Sequence, residues 1–203
     1  MRIKNNQAGL TLVEILVAVS IFSLLAVVVS GIYVAFSNSQ ARATRAQRLL
    51  NDAQFALVGM AREIRNNQLY YGFGFTAQNC NDEINPTPEI NIESCIFLQK
   101  SDGTIIAFAK ETSNNKLDYL VRSSVAPYTW SVTGFVFNDG TEGVVIDSLN
   151  FWFEPSTDPS IEGNANRQPF VFIQFKVSTS DTNIYKRVSY NLQTSVSSRV
   201  YKR

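Results

Sequence analysis

Histidine is missing from this sequence altogether, and cysteine occurs only twice, at Cys80 and Cys95. The first absence removes the side chain most often used as a general base and as a metal ligand near neutral pH. Two cysteines without a histidine cannot complete a four-ligand structural zinc site. No metal and no cofactor is therefore expected. There is also no G-x-S-x-G, no glycine-rich phosphate loop and no metal triad. Carboxylates, lysine and tyrosine still allow acid–base chemistry, so these absences lower the prior for an enzyme without excluding one. A charge excess of one sign is lacking too. The 18 basic and 17 acidic residues leave a net charge of +1, which provides no broad field for nucleic acid. Proline is absent before Pro86, so nothing in the first third of the chain forbids a long helix.

What is present is dominated by one segment. Residues 1–9 are polar, with Arg2 and Lys4 and no acidic residue. From Leu10 to Phe36 the chain is almost wholly apolar, and Glu14 is its one charge. As a helix this run measures about 40 Å at roughly 1.5 Å per residue, enough to cross a hydrocarbon layer of about 30 Å. A secretory signal has an apolar region of only about 7–15 residues followed by small residues. Here the run is longer and the small residue precedes it. A cleaved secretory signal is therefore disfavoured.

Helical spacing continues beyond the apolar run. Ala46, Leu49, Leu50, Ala53, Leu57, Met60, Ala61 and Ile64 recur every three or four residues, with charged residues between them. This predicts one helix from about residue 10 to about residue 67, apolar throughout in its first half and amphipathic in its second. Near Tyr71 the composition changes. Gly72, Gly74, Asn79, Asn81, Asn85, Pro86 and Pro88 mark an irregular segment that takes in both cysteines, Cys80 and Cys95. Strand-like runs follow at 95–99, 104–109, 117–121, 135–137, 144–153, 170–177 and 184–196. Ser101-Asp102-Gly103 reads as a hairpin turn and 154–168 as an exposed loop. The expected fold is α+β, a long N-terminal helix packed on an antiparallel β-sheet head. Its segments are 1–9, 10–36, 37–68 and 69–203. The even cysteine count and the spacing of Cys80 and Cys95 fit a disulfide, with two free buried thiols as the alternative.

A basic leader ending at Gly9, followed by Leu10-Thr11-Leu12-Val13-Glu14 at the head of an apolar helix, resembles the class III signal of type IV prepilins. The resemblance implies cleavage between Gly9 and Leu10 by prepilin peptidase and N-methylation of Leu10, where the family usually has Phe. It implies that Glu14 pairs with the methylated terminus of a neighbouring subunit. It further implies insertion in the cytoplasmic membrane with the head outside, then entry into a surface or periplasmic filament through an inner-membrane assembly platform. Residues 57–66 resemble the helix end of PilW-like minor pilins and J-component minor pseudopilins, and 191–199 resemble their terminal strand. Gly31 stands where major pilins usually carry a helix-breaking proline. The implied function is a structural minor subunit of a type IV pilus or related filament, at its initiation or tip. The alternatives are a minor pseudopilin of a type II secretion system or a DNA-handling competence pilin. A membrane-anchored enzyme or receptor domain is less favoured.

Glu14 carries most of this reading. A carboxylate in a membrane helix costs on the order of 2.5–3.5 kcal/mol at the bilayer centre, which an anchor with no other task would avoid. The plainer account is a carboxylate reaching the interface from near the helix start. Arg42, Arg45 and Arg48 form a candidate basic face toward lipid phosphate, neighbouring subunits or DNA, weighed against an ordinary solvated face. With Arg2 and Lys4 on the other flank, positive charge does not orient the helix. Asp82, Glu83, Asn79 and Asn81 lack the spacing of a calcium loop. Phe151-Trp152-Phe153 and Phe170, Phe172 and Phe175 read as sheet core rather than a ligand cleft.

Overall fold

A computed structural model describes residues 11–74, 77–84, 92–111, 117–126, 128–137, 144–159, 168–180 and 187–199. The expected cleavage pair Gly9 and Leu10, most of the loop expected at 154–168 and the start of the strand expected at 184 lie outside them.

Helix α1 runs without interruption from Leu12 to Asn66. Thr11 caps it: the Glu14 amide donates to the Thr11 hydroxyl at 3.3 Å and to its carbonyl at 3.1 Å. At the other end Asn67 closes the last turn, its amide donating to the Glu63 carbonyl at 3.0 Å and its side chain to the same oxygen at 2.8 Å. Glu14 in the first turn and Arg65 in the last both oppose the helix dipole favourably. The chain divides into two compact units between Thr44 and Arg45. In the first, every described residue is exposed. In the second, α1 buries Leu49, Ala53, Ala56, Leu57, Met60 and Ile64. Five of these belong to the expected stripe; Ala46, Leu50 and Ala61 are half-buried at its margin.

The β part forms two antiparallel sheets where the sequence suggested one. The first has the order β1 (Gln68–Leu69), β2 (Ile92–Gln99), β3 (Ile105–Glu111), β4 (Leu117–Arg122) and β5 (Trp130–Phe137). The second has the order β6 (Val144–Glu154), β7 (Phe170–Thr179) and β8 (Ser189–Ser197). Their inner faces and the α1 stripe share one core, with Ile96, Phe108, Ile146, Leu149, Ile173 and Phe175 among its members. The β2–β3 turn is the expected one: Gly103 has φ 85°, and its amide donates to the Lys100 carbonyl at 3.0 Å. Asp102 accepts from the Thr104 amide at 2.9 Å, and this bond holds its carboxyl below the ordinary range.

The segment expected to be irregular contains a helix, α2, from Ala77 to Ile84. It has only two turns, too few to show a periodic stripe in the sequence. Tertiary bonds hold it instead. Cys80 on α2 is joined to Cys95 on β2 by a disulfide with Cα atoms 5.9 Å apart, over a second buried cluster that includes Phe97, Ala107, Ala109 and Leu120. Strands β2 and β3 are therefore covered on both faces, which explains their continuous apolar runs. Strand β7 is covered on one face only and alternates: Val171, Ile173, Phe175 and Val177 are buried, whereas Phe172 and Lys176 are exposed. The aromatic runs split in the same way. Phe175 lies in the core with Phe151 and Phe153 packed at its edge, but Trp152 is 51% exposed and Phe172 is 46% exposed.

A polar seam joins the sheets at one end. Lys110 of β3 is 2% exposed and is ion-paired with Glu93 of β2. Burial pushes its ammonium below the ordinary lysine range, against the opposing pull of Asp147 on β6. Asp147 in turn accepts from Ser178 at 3.0 Å and from Arg187 at 2.7 Å. At the other end Tyr71 donates to the Pro155 carbonyl at 3.1 Å. Burial first, and then the Asp158 carboxylate, push its phenol up to about 12.

Two measurements probe this packing in the detergent-solubilised chain. Met60→Ala is expected to lower the unfolding free energy by about 2–5 kcal/mol in urea melts. Val58→Ala, at a position 67% exposed on the same helix, is expected to change it by less than about 0.5 kcal/mol. Equal effects would contradict the assigned stripe. The Tyr71 phenol ionises later in the folded chain than in the unfolded one, so its contribution is intact below about pH 10 and declines from there toward about pH 12. Tyr71→Phe should flatten that part of the stability–pH curve relative to the parent chain; superimposable slopes would refute the assignment.

Candidate functional site

The first unit confronts water with side chains that water does not favour. Leu12 is 78% exposed, Phe22 74% and Leu24 70%, and the apolar face continues all round the helix to Phe36. An exposed patch of this extent marks a surface made for lipid or for other chains. By length and composition α1 is able to cross a membrane. Its polar atoms are accommodated internally. Ser20, Ser23 and Ser30 donate their hydroxyls to the carbonyls of Leu16, Val19 and Ala26 at 2.8, 2.7 and 2.7 Å. Each hydroxyl is therefore satisfied without water, as a lipid environment requires. Gly31 sits in unbroken helix with nothing within 4 Å of where a Cβ would stand.

Glu14 is the exception in this surface. Thr11-Leu12-Val13-Glu14 has the spacing of a capping box, with Thr11 at the cap and Glu14 three residues on. One half of that box is formed, the Glu14 amide bonding back to the Thr11 hydroxyl. The Glu14 carboxylate has no partner among the described residues, so one turn into an apolar helix it is an exposed acceptor awaiting a cation or a donor. Sequence reasoning found the carboxylate but missed the capping box, although the T-x-x-E spacing was there to be read.

The other candidate residues do not join this site. Arg42 lies in the first unit and Arg45 and Arg48 in the second; all three are exposed, and Arg45 already has an interaction of its own. Glu83, in the acidic segment that lacks the spacing of a calcium loop, pairs with Arg122 at 3.2 Å. Among the described residues no group of three or more carboxylates, cysteines or histidines is placed to hold a metal ion. Sequence reading did not anticipate Arg122, whose guanidinium lies 4.8 Å from the Phe73 ring and 4.5 Å from the Tyr128 ring. Three distant segments meet there, and no local pattern announces it.

Residues 4–30 match the family model described as the prokaryotic N-terminal methylation motif. That span takes in Gly9, Leu10, Thr11 and Glu14 and ends within the apolar half of α1. No curated protein and no solved structure registers a match to the chain. The motif is that of a substrate of prepilin peptidase, and the helix that follows it suits membrane anchoring. A long N-terminal helix leading into antiparallel sheets, behind this motif, is consistent with a type IV pilin-like protein.

Proposed function

We propose that the chain is a structural minor subunit of a type IV pilus or a closely related filament. Prepilin peptidase cuts between Gly9 and Leu10 and methylates the new amine, and the subunit then enters the filament through the apolar half of α1. The observation that carries this reading is the lone carboxylate of Glu14, one turn into an exposed apolar helix and directly downstream of the cut. After cleavage the chain begins next to its own helix cap, so an ammonium group and the positive end of the helix dipole lie at the same place. A neighbouring subunit offers the same arrangement. Each carboxylate can then neutralise the terminus of the next helix, in a medium where unpaired charge is strongly penalised. Such a pair works through register: only one axial offset between helices lets both charges meet.

The minor-subunit role is supported by Gly31 in place of the proline of major pilins, and by the unbroken helix through that point. The resemblances of 57–66 and 191–199 support it too. The same helix would equally serve a minor pseudopilin of a type II secretion filament, which shares this mode of assembly. Orientation in the membrane follows from the processing: the leader and the peptidase site lie on the cytoplasmic side and the head outside. The Cys80–Cys95 disulfide suits such an oxidising compartment.

Processing is tested by the mass of the N-terminal peptide of protein isolated from its native membrane. A peptide beginning at Leu10 and carrying one methyl group is expected; one beginning at Met1 would refute the pathway. The pairing role needs a variant that spares the cap. Glutamine serves a capping box as well as glutamate does but carries no charge. Glu14→Gln should therefore insert in the membrane normally and be depleted at least roughly tenfold from sheared filaments, the scale of a lost charge pair in a low-dielectric site. Incorporation at the parent level would mean that Glu14 acts as a helix cap and that charge pairing is wrong.

A further inference from the structure

The outer face of the second sheet carries a feature that filament assembly through α1 does not use. In the antiparallel register, Trp152 of β6 lies opposite Phe172 of β7, and Phe172 lies opposite Ser195 of β8. The next rung on the same face is Asn150, Gln174 and Gln193. Trp152, Phe172 and Ser195 of the first rung and Gln174 and Gln193 of the second line a hollow of about 410 Å³, with no charged side chain among its described lining residues. Phe172 also borders a second hollow of about 410 Å³, where Glu154, Gln168 and Phe170 take over. Phe170 meets Phe172 edge to face with ring centroids 4.8 Å apart, so the aromatic floor is continuous along β7.

Three properties select the occupant. The central hollow is uncharged, so a lipid headgroup, nucleic acid or acidic peptide would find no counter-charge there. Strand β7 is paired on both sides over its whole length, so a peptide cannot add to it as an extra strand. What the face does offer is flat exposed rings beside amides and hydroxyls, groups that donate and accept at once. Successive outward positions on a strand are roughly 7 Å apart and neighbouring strands about 4.8 Å apart. A pyranose ring fits on the Trp152–Phe172 pair, its C–H face against the π-surface, with its hydroxyls within reach of the Gln174 and Gln193 rung. We propose that this face is a binding site for an uncharged polysaccharide, running over Trp152 and Phe172 and hydrogen-bonded by the amide rung.

Cellohexaose, chitohexaose and mannohexaose serve as probes, titrated into the detergent-solubilised full chain by calorimetry and by tryptophan emission. Trp152 is the exposed one of the two tryptophans, Trp130 being half-buried. At least one hexaose is expected to bind with a blue shift in emission. Trp152→Ala and Phe172→Ala are each expected to weaken that binding roughly tenfold or more, and Gln193→Ala by a smaller factor, with melting temperatures unchanged because all three side chains are exposed. Absence of binding to all three sugars overturns the proposal. So does parent-like affinity in both aromatic variants. Loss of filament incorporation in Trp152→Ala without any sugar binding would assign the face to subunit contact and likewise overturn it.

Discussion

A helix satisfies its own backbone, and this fact lets one element serve two different solvents. Along Leu12–Asn66 every interior amide and carbonyl is paired within the helix, so only the side chains have to answer to their surroundings. In the first unit they are apolar on all sides, and the serine hydroxyls return to carbonyls one turn back. In the second they are apolar on one stripe, and that stripe completes the core of the head. No break in the backbone marks the change. It is written in side-chain pattern alone, from a helix apolar all round to one with a single apolar stripe.

The head is arranged around that stripe. Neither sheet could bury its inner face against the other alone, because both share α1 as a third wall through Leu49, Met60 and Ile64. The first sheet then needs a second cover on its far side, since β2 and β3 are apolar on both faces. The short helix α2 supplies it, and a disulfide holds that cover in place where two turns of helix would not hold alone. The second sheet needs no such cover. Its outward residues are mostly polar, and Trp152, Phe170 and Phe172 interrupt that pattern with three aromatic rings.

Much of this is legible in the residues themselves. The apolar run to Phe36, the stripe from Leu49 to Ile64 and the turn at Asp102-Gly103 are local patterns, and local patterns survive folding. What escaped was non-local. Helix α2 is too short to show a period, and β1 has only two residues. The division into two sheets is latent in the contrast between the continuous Cys95–Leu98 run, covered on both faces, and the alternating 170–177 run. Phe151-Trp152-Phe153 is aromatic at every position, so alternation cannot say which ring faces out; the pairing with β7 decides it. At the N-terminus the reverse holds. Gly9 and Leu10 lie outside the described residues, and what can be said of the processing signal comes from the sequence pattern and its family match.

The seam around Lys110 has a consequence for how the head avoids misassembly. Both carboxylates near that amine sit where a ladder is irregular: Glu93 between Ile92 and Ser94, and Asp147 between Ile146 and Ser148. A bulge turns its side chain out of the regular alternation, and here two bulges on different sheets turn acids toward one base. A slip of β3 by a single residue would exchange its faces and move the lysine to the side of the disulfide, leaving a buried cation without its acids and two acids without their cation. An apolar side chain at position 110 would bury as well in either register. The lysine makes only one of them tolerable, so a group that adds little to stability acts as a key that admits a single alignment of the sheets.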